Sequence, residues 1–421
     1  MRGMGRGIFA GLAAVAVIAG GFGAAALLRA DRATATASQA GPDGTPASEP
    51  IRVVEGLPLL KARLDANPAN FMGAVLVARG DQILFRQVYG MADVERGVPL
   101  TPTTRFRLAS ISKQFTAAAI LKLQDEGRLK TSDKVCAWIQ PCPEAWADIT
   151  IRHLISHQSG IPDLMARPGW GQRRIMPATL SQLTEDSKAF GLQSPAGTKI
   201  RYNNAGFNLA ADIVERASGV AYPDYLQATF FTPLGMRQTG LGNVSSDGGP
   251  IATGYANLRE GLIPQNQPNV SIVEGAGALY STLDDLLKWE RALHHGQVMS
   301  PAAYAEMIAD HAPPIGEGDT RRPERQWGYG LFIMPLGIEV TPSFTDRQIY
   351  HTGSWSGFRN LATYQPDSDV TVIVLSNSYY QREEVLLITQ QAMAEVLGRE
   401  IPTALATRTP AAVAATPAGA Q

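Results

Sequence analysis

Ser110-Ile111-Ser112-Lys113 sets a hydroxyl and a primary amine three positions apart where a helical pattern begins. Residues i and i+3 of a helix share a face and lie about 5–6 Å apart, so Lys113 is within reach of the Ser110 hydroxyl. A serine hydroxyl is a weak nucleophile until a neighbour accepts its proton, and an amine can do that. A helix N-terminus also favours the negative charge of a developing alkoxide. Two later segments carry complementary groups. Tyr202-Asn203-Asn204 follows Pro195-Ala196-Gly197-Thr198 and precedes a second helical stretch. A lysine cation nearby would let Tyr202 hold its phenolate form more easily than an ordinary pKa of about 10 implies, and the Asn204 amide can donate an N–H to an acyl substrate. His351-Thr352-Gly353 ends a strand, where a glycine lets a ligand approach and backbone N–H groups can hold an extended substrate or an oxyanion. Each segment alone also reads as ordinary structure: a capped helix start, a turn with a satisfied phenol, a strand histidine.

The elements that must position these groups can be read from period and punctuation. Phe71 to Ala78 and Gln82 to Tyr89 are β-rich runs around Arg79-Gly80-Asp81, a hairpin signal. Leu108 to Glu126 has apolar residues at helical spacing and Gly127 to stop it, and Ala205 to Ala217 forms the second helix. Arg347 to Tyr350, Asn360 to Gln365 and Val370 to Ser376 read as strands, the last two joined by the turn Pro366-Asp367-Ser368-Asp369, and Glu384 to Gly398 as an amphipathic helix. Strands at both ends with helices between them predict an α/β body whose sheet is assembled from both ends of the chain, with a mainly helical lobe inserted.

Across 421 residues, 37 Lys+Arg face 38 Asp+Glu for a net charge of -1, which offers no basic footprint for nucleic acid. Two cysteines are too few for a disulfide-built scaffold or a four-cysteine zinc site, and the reading calls for no metal or other cofactor. Arg2 and Arg6 precede an apolar, charge-free run from Ile8 to Leu28, the layout of an export signal. At 1.5 Å per residue the run spans about 31 Å, which also suits a membrane anchor. Ala24-Ala25-Ala26 and Ala35-Thr36-Ala37 are small-residue cleavage sites, while Gly11, Gly20, Gly21 and Gly23 weaken a spanning helix. Residues 1–37 are therefore a cleaved signal or an anchor, and either places the body in the periplasm or outside the cell. Residues 38–50 have linker composition, 51–401 form the functional domain, and 402–421 form a disordered tail. Cys136 and Cys142 could pair in an oxidising compartment, closing a loop worth about 2 kcal/mol.

In this order, S-x-x-K, Y-x-N and [KH]-T-G resemble the signature of serine β-lactamases and penicillin-recognising enzymes. The Tyr-x-Asn form is closer to class C β-lactamases, DD-peptidases and their esterase relatives than to class A. Two further segments look alike, residues 149–160 (ITIRHLISHQSG) and 275–282 (GAGALYST), so the resemblance covers roughly residues 55–400. It implies a β-lactamase/transpeptidase-like fold with an antiparallel sheet and flanking helices. By the same likeness, Ser110 is acylated, Lys113 and Tyr202 share the proton work, and Asn204 binds the substrate amide. The likeness also counts His351 with the catalytic residues and gives Thr352, Gly353 and Ser354 to substrate binding, with the backbone N–H groups of Ser110 and Ser354 as the oxyanion hole. The implied substrate is a small amide or ester: a β-lactam, a D-Ala-D-Ala-type peptide or a short-chain ester. The alternative is a non-catalytic or slow-turnover penicillin- or cell-wall-peptide-binding protein. His351 stands where most β-lactamases have lysine, which argues against efficient β-lactam hydrolysis because a lysine would attract the drug carboxylate more reliably.

Two other patterns compete. Gly353-Ser354-Trp355-Ser356-Gly357 matches G-x-S-x-G, but all six histidines precede Ser356 and strands follow it, so the α/β-hydrolase order of serine, acid, histidine fails. His153 and His157 are four apart, yet Leu154 stands where H-E-x-x-H requires glutamate, which leaves them a structural place near the site wall. Trp355 and Phe358 read either as acyl-pocket lining or as core.

Overall fold

The runs flanking Arg79-Gly80-Asp81 close as a hairpin because Gly80 takes the left-handed backbone, φ +51°, that the turn needs. The computed structural model describes residues 52–53, 56–66, 71–243, 249–258, 261–316, 321–379 and 381–407. Eight strands form its main sheet: β1 (Arg52–Val53), β2 (Gly73–Arg79), β3 (Gln82–Tyr89), β4 (Gln326–Trp327), β5 (Phe332–Met334), β6 (Gln348–Trp355), β7 (Phe358–Gln365) and β8 (Val370–Ser376). Their order across the sheet is β1-β3-β2-β8-β7-β6-β5-β4. The sheet is thus built from both ends of the chain, with β8 pairing β2 in register from Val370↔Arg79 to Ser376↔Gly73. Its pairs are antiparallel except β1 with β3, which is parallel.

Alternation along β2 explains how both faces are covered. Val75 and Val77 join an apolar cluster with Leu60 and Leu64 of α1 (Pro58–Ala66), and Ala74, Leu76 and Ala78 join a second cluster on the opposite face. That second cluster runs into the inserted lobe through Phe115 of α2 (Ser112–Asp125), Phe207 of α3 (Asn204–Ser218) and Trp289 of α4 (Leu283–His294). On the first face, Val385, Ile388 and Met393 of α5 (Arg382–Leu397) complete the cover. Each fully buried aliphatic side chain contributes about 1.5–3 kcal/mol relative to exposure. Cys136 and Cys142 are disulfide-bonded.

The tail departs from its expected disorder over its first residues. Ala404–Leu405 pairs antiparallel with Val340–Thr341, Thr403 N–H donates to the Thr341 carbonyl, and the Pro402 carbonyl accepts from Gln391 Nε2. An edge segment with free backbone groups has captured the chain, which composition alone does not reveal. The signal or anchor at 1–37, the linker at 38–50 and residues 408–421 lie outside the described residues. Among the described residues no helix is long and apolar enough to cross a membrane.

Candidate active site

Ser110 sits in a 3-10 turn, Ala109–Ile111, that leads into α2, so regular helix begins two residues after it. Ala109 holds a left-handed backbone, φ +51°, a conformation costing on the order of 1–3 kcal/mol that persists only where the surroundings impose it. Here they do: Leu108 N–H donates to the Leu279 carbonyl, and Asn360 Nδ2 donates to the Arg107 carbonyl. Gly353 of β6 presses on the same turn, since a Cβ at 353 would lie 2.2 Å from the Leu108 carbonyl oxygen. Its glycine is therefore required by the chain's own nucleophile turn and not by an incoming ligand.

Lys113 is fully buried, and its Nζ lies 3.1 Å from Ser110 Oγ, 2.8 Å from Asn204 Oδ1 and 2.8 Å from the Ala276 carbonyl oxygen. Three acceptors satisfy an ammonium. When the amine is neutral, its two hydrogens can stay on Asn204 and Ala276, and its lone pair is left for the Ser110 hydroxyl proton. Burial favours that state by pushing the Lys113 pKa down to about 7, partly opposed by the charge of Asp163.

Tyr202 and Asn204 owe their aim to the residue between them. The Asn203 side chain caps α3 by accepting from Gly206 N–H, and donates to the Ile161 carbonyl. The Tyr202 ring then stacks on His157, 4.5 Å between centroids, with Lys113 Nζ 4.8 Å from its own centroid. Tyr202 is 38% exposed along the pocket wall. Burial of the phenol and then the Asp163 charge nevertheless raise its pKa above the usual value, against a hydrogen bond with Ser110 that lowers it. The open ring tempers the size of that shift, not its direction. Tyr202 is thus a neutral phenol, contrary to the expected phenolate, because lost hydration outweighs the lysine next door.

Asn204 is more fully engaged than its sequence position suggests. Its Oδ1 accepts from Lys113, and its Nδ2 donates to Asp163 Oδ2 at 3.1 Å with Met165 Sδ at 3.8 Å. A substrate that takes an Asn204 N–H has to displace the thioether. Thr352 and Ser354 line the same cavity of about 470 Å³ as Ser110, Tyr202 and Asn204. β5 pairs β6 only as far as Tyr350, so among the described residues the β6 edge beyond it has no strand neighbour on that side.

His351 does not line that cavity. It is 1% exposed and stacked on Phe332, with Nδ1 against the Thr352 carbonyl oxygen and Nε2 buried without a hydrogen-bond partner among the described residues. Burial and then the Lys113 charge push its pKa down to about 3, so it is neutral at pH 7 and cannot stand in for a lysine. The cavity's guanidinium is instead Arg325, packed over Phe332 at 5.1 Å with its Nε buried and without a hydrogen-bond partner among the described residues. Sequence reading missed Arg325, Asp163 and Met165. Only Asp163 had a nearby signal, three residues past the matching segment that ends at Gly160.

The remaining candidates separate clearly. Ser356 lies in the β6–β7 hairpin turn with Gly357 at φ +84°, far from a strand-to-helix elbow. His153 sits in the short helix Ile151–Ile155 with Nδ1 accepting from Thr150 N–H, and His157 falls beyond that helix, so the two share no helical face. Trp355 and Phe358 both belong to the core cluster, and Trp355 also lines the cavity.

A Beta-lactamase family model matches residues 64–394. The chain is similar to penicillin-binding protein 4* of Bacillus subtilis (strain 168), 29% identical over 73% of this chain and 68% of that protein. It is also similar to a D-aminopeptidase of Gluconobacter oxydans (strain 621H), 28% identical over 76% and 58%, and to esterase EstB of Burkholderia gladioli, 29% identical over 76% and 91%. Among solved structures, the octameric penicillin-binding protein homologue from Pyrococcus abyssi superposes with a TM-score of 0.67 at 26% identity, covering 81% of this chain and 77% of that one.

Proposed function

This serine hydrolase belongs to the Beta-lactamase family, and from that premise we propose that it is exported and cleaves an amide or ester through a covalent acyl-enzyme on Ser110. The observation that carries the reading is the buried Lys113 amine, 3.1 Å from Ser110 Oγ with its other two partners both acceptors. Ser110 Oγ bonds to the substrate carbonyl carbon as its proton passes to Lys113 Nζ. The oxyanion lies toward the backbone N–H groups of Ser110 and Ser354. The bond to the leaving nitrogen or oxygen then breaks, with the leaving atom taking a proton from the neutral Tyr202 phenol, which Lys113 restores. Water attacks the ester carbon, its proton returns to Ser110 Oγ through the same two groups, and one water is consumed for each acid and leaving group released.

Arg325 in the cavity wall supports a substrate with a carboxylate, which a β-lactam and a D-Ala-D-Ala-type peptide both carry. Export rests on the charge pattern of residues 1–37 and on the Cys136–Cys142 pair, which suits an oxidising compartment. The test is a panel of nitrocefin, p-nitrophenyl acyl esters and D-Ala-D-Ala peptides, followed by intact-mass detection of the adduct. Ser110→Ala should lose about 10⁴-fold or more of kcat/KM and all adduct. A Ser110→Ala protein that turns over substrate as the parent does refutes the assignment.

A further inference from the structure

The lining of the Ser110 cavity includes one residue type of each charge, Arg325 and Asp163, brought in by different parts of the chain. Arg325 enters from the sheet edge just before β4, and Asp163 from the loop ahead of the 3-10 turn Leu164–Ala166 in the helical lobe. Asp163 is half-buried, and its carboxylate accepts from two neutral donors: Asn204 backbone N–H to Oδ1 and Asn204 Nδ2 to Oδ2, each at 3.1 Å. The two carboxylate oxygens offer about four acceptor directions, so about half remain for a ligand. Lys113 and Arg167 are the cations whose charge it feels. Neither is in contact: Lys113 Nζ is spent on Ser110, Asn204 and Ala276, and the Arg167 guanidinium donates to the Asp186 and Pro162 carbonyls and lies over Phe190. Among the described residues, Asp163 takes part in no ion pair.

We infer that Asp163 is a substrate-binding residue that holds an ammonium on the acyl side of the substrate, so that the preferred acyl donors are aminoacyl or short peptidyl amides and esters with a free α-amino group. The inference rests on Ser110 being the nucleophile and adds which acyl groups reach it. An α-ammonium is two bonds from the scissile carbonyl carbon, and Asp163 is joined to the nucleophile by only two side chains, Asn204 and Lys113. The contact would be a charge-assisted hydrogen bond, which an N-acylated analogue cannot make. The free carboxylate of a peptide substrate would lie against Arg325, which lines the same cavity.

The experiment compares D- and L-phenylalanine p-nitroanilide with their N-acetyl forms. It uses the parent protein, Asp163→Asn and the charge-keeping Asp163→Glu, with fluorophosphonate labelling of Ser110 as a check that each variant is folded and its nucleophile competent. The parent should favour the free amine of at least one enantiomer by about 10-fold or more in kcat/KM, chiefly through KM. Asp163→Asn should bring that ratio close to one, and Asp163→Glu should keep part of it. A labelled parent with no preference for the free amine, or a preference that Asp163→Asn leaves intact, overturns the inference and leaves the nucleophile standing. Failure of Ser110 to label, with no turnover of any substrate, overturns both.

Discussion

Asp163→Asn also probes which group sets the acid side of the rate profile. The 2.8 Å and 3.1 Å contacts through the Asn204 amide hold the carboxylate within about 8 Å of Lys113 Nζ. At that separation and an effective dielectric near 20, the attraction is about 2 kcal/mol, equivalent to about 1.5 pH units on the lysine. Asp163 is half open to the pocket, and screening by water brings the expected effect to about one unit. The sign is fixed by charge. Asp163 favours the ammonium, so its removal lets Lys113 lose its proton at lower pH.

The assay is kcat/KM against pH from 5 to 9 with an uncharged p-nitrophenyl ester, whose acyl group gains nothing from Asp163. The parent should fall off on the acid side near pH 7, where burial places Lys113, and Asp163→Asn near pH 6. The other ionisable neighbours lie outside this window: His351 is pushed down to about 3, His157 well below its ordinary value and Tyr202 upward, each mainly by burial. Glu274 is the exception. Burial and then Glu215 raise it to about 7, and it adjoins the Gly275-Ala276 segment that holds the lysine. Asp163 has no part in that shift. An acid limb that stays in place in Asp163→Asn, or moves upward, would refute Lys113 as the titrating base, and a limb moved by Glu274→Gln would point to Glu274 instead.

Three further outcomes follow from the geometry. Gly353→Ala drives a Cβ against the Leu108 carbonyl oxygen, so it should displace the Ser110 turn, cost about 1–3 kcal/mol in chemical denaturation and abolish acylation, whereas alanine at the open turn position Gly97 should leave acylation intact. Arg325→Ala should raise KM for carboxylate-bearing substrates by about 10-fold or more and leave uncharged esters unchanged in a parallel kinetic series. His351 should make the fold acid-sensitive: with a folded pKa of about 3 against 6.5 unfolded, stability is complete above pH 6.5 and lost on the way down, by about 2 kcal/mol at pH 5. Glu274 acts in the opposite direction as it gains a proton, so the measurement is the difference in melting between the parent and His351→Gln at pH 7 and pH 5.

How much of this was legible in the sequence depends on the range over which each property is decided. The Ser110–Lys113 proximity follows from three-residue spacing on one turn, and a local rule suffices. Five of the sheet's eight strands, β2, β3, β6, β7 and β8, are legible as β-rich runs between turn signals, whereas the two- and three-residue strands β1, β4 and β5 are too short to leave a pattern. The protonation state of Tyr202 was not legible, because it depends on desolvation created by His157, 45 positions earlier, and by the cavity as a whole. Asp163 reaches Asn204 across 41 positions, and no short pattern reports such a contact. The glycine at 353 signals a close approach, but the approaching atom is the Leu108 carbonyl oxygen of the chain itself, a partner 245 positions away that no local pattern identifies. His351 shows the same limit: a residue type in a motif carries no charge state until its burial is known.

Burial also explains how two weak groups come to flank one hydroxyl. Loss of hydration disfavours whichever form is charged, so it lowers the pKa of an amine and raises that of a phenol. At Ser110 the same enclosure therefore yields a neutral lysine that can take a proton and a neutral tyrosine that can give one, without a dedicated ion pair for either. A lysine at position 351 would disturb this balance. Its ammonium would add a positive charge beside Lys113, whereas the neutral His351 ring adds none. On this argument the neutral histidine spares Lys113 a like charge and leaves its amine able to take the serine proton.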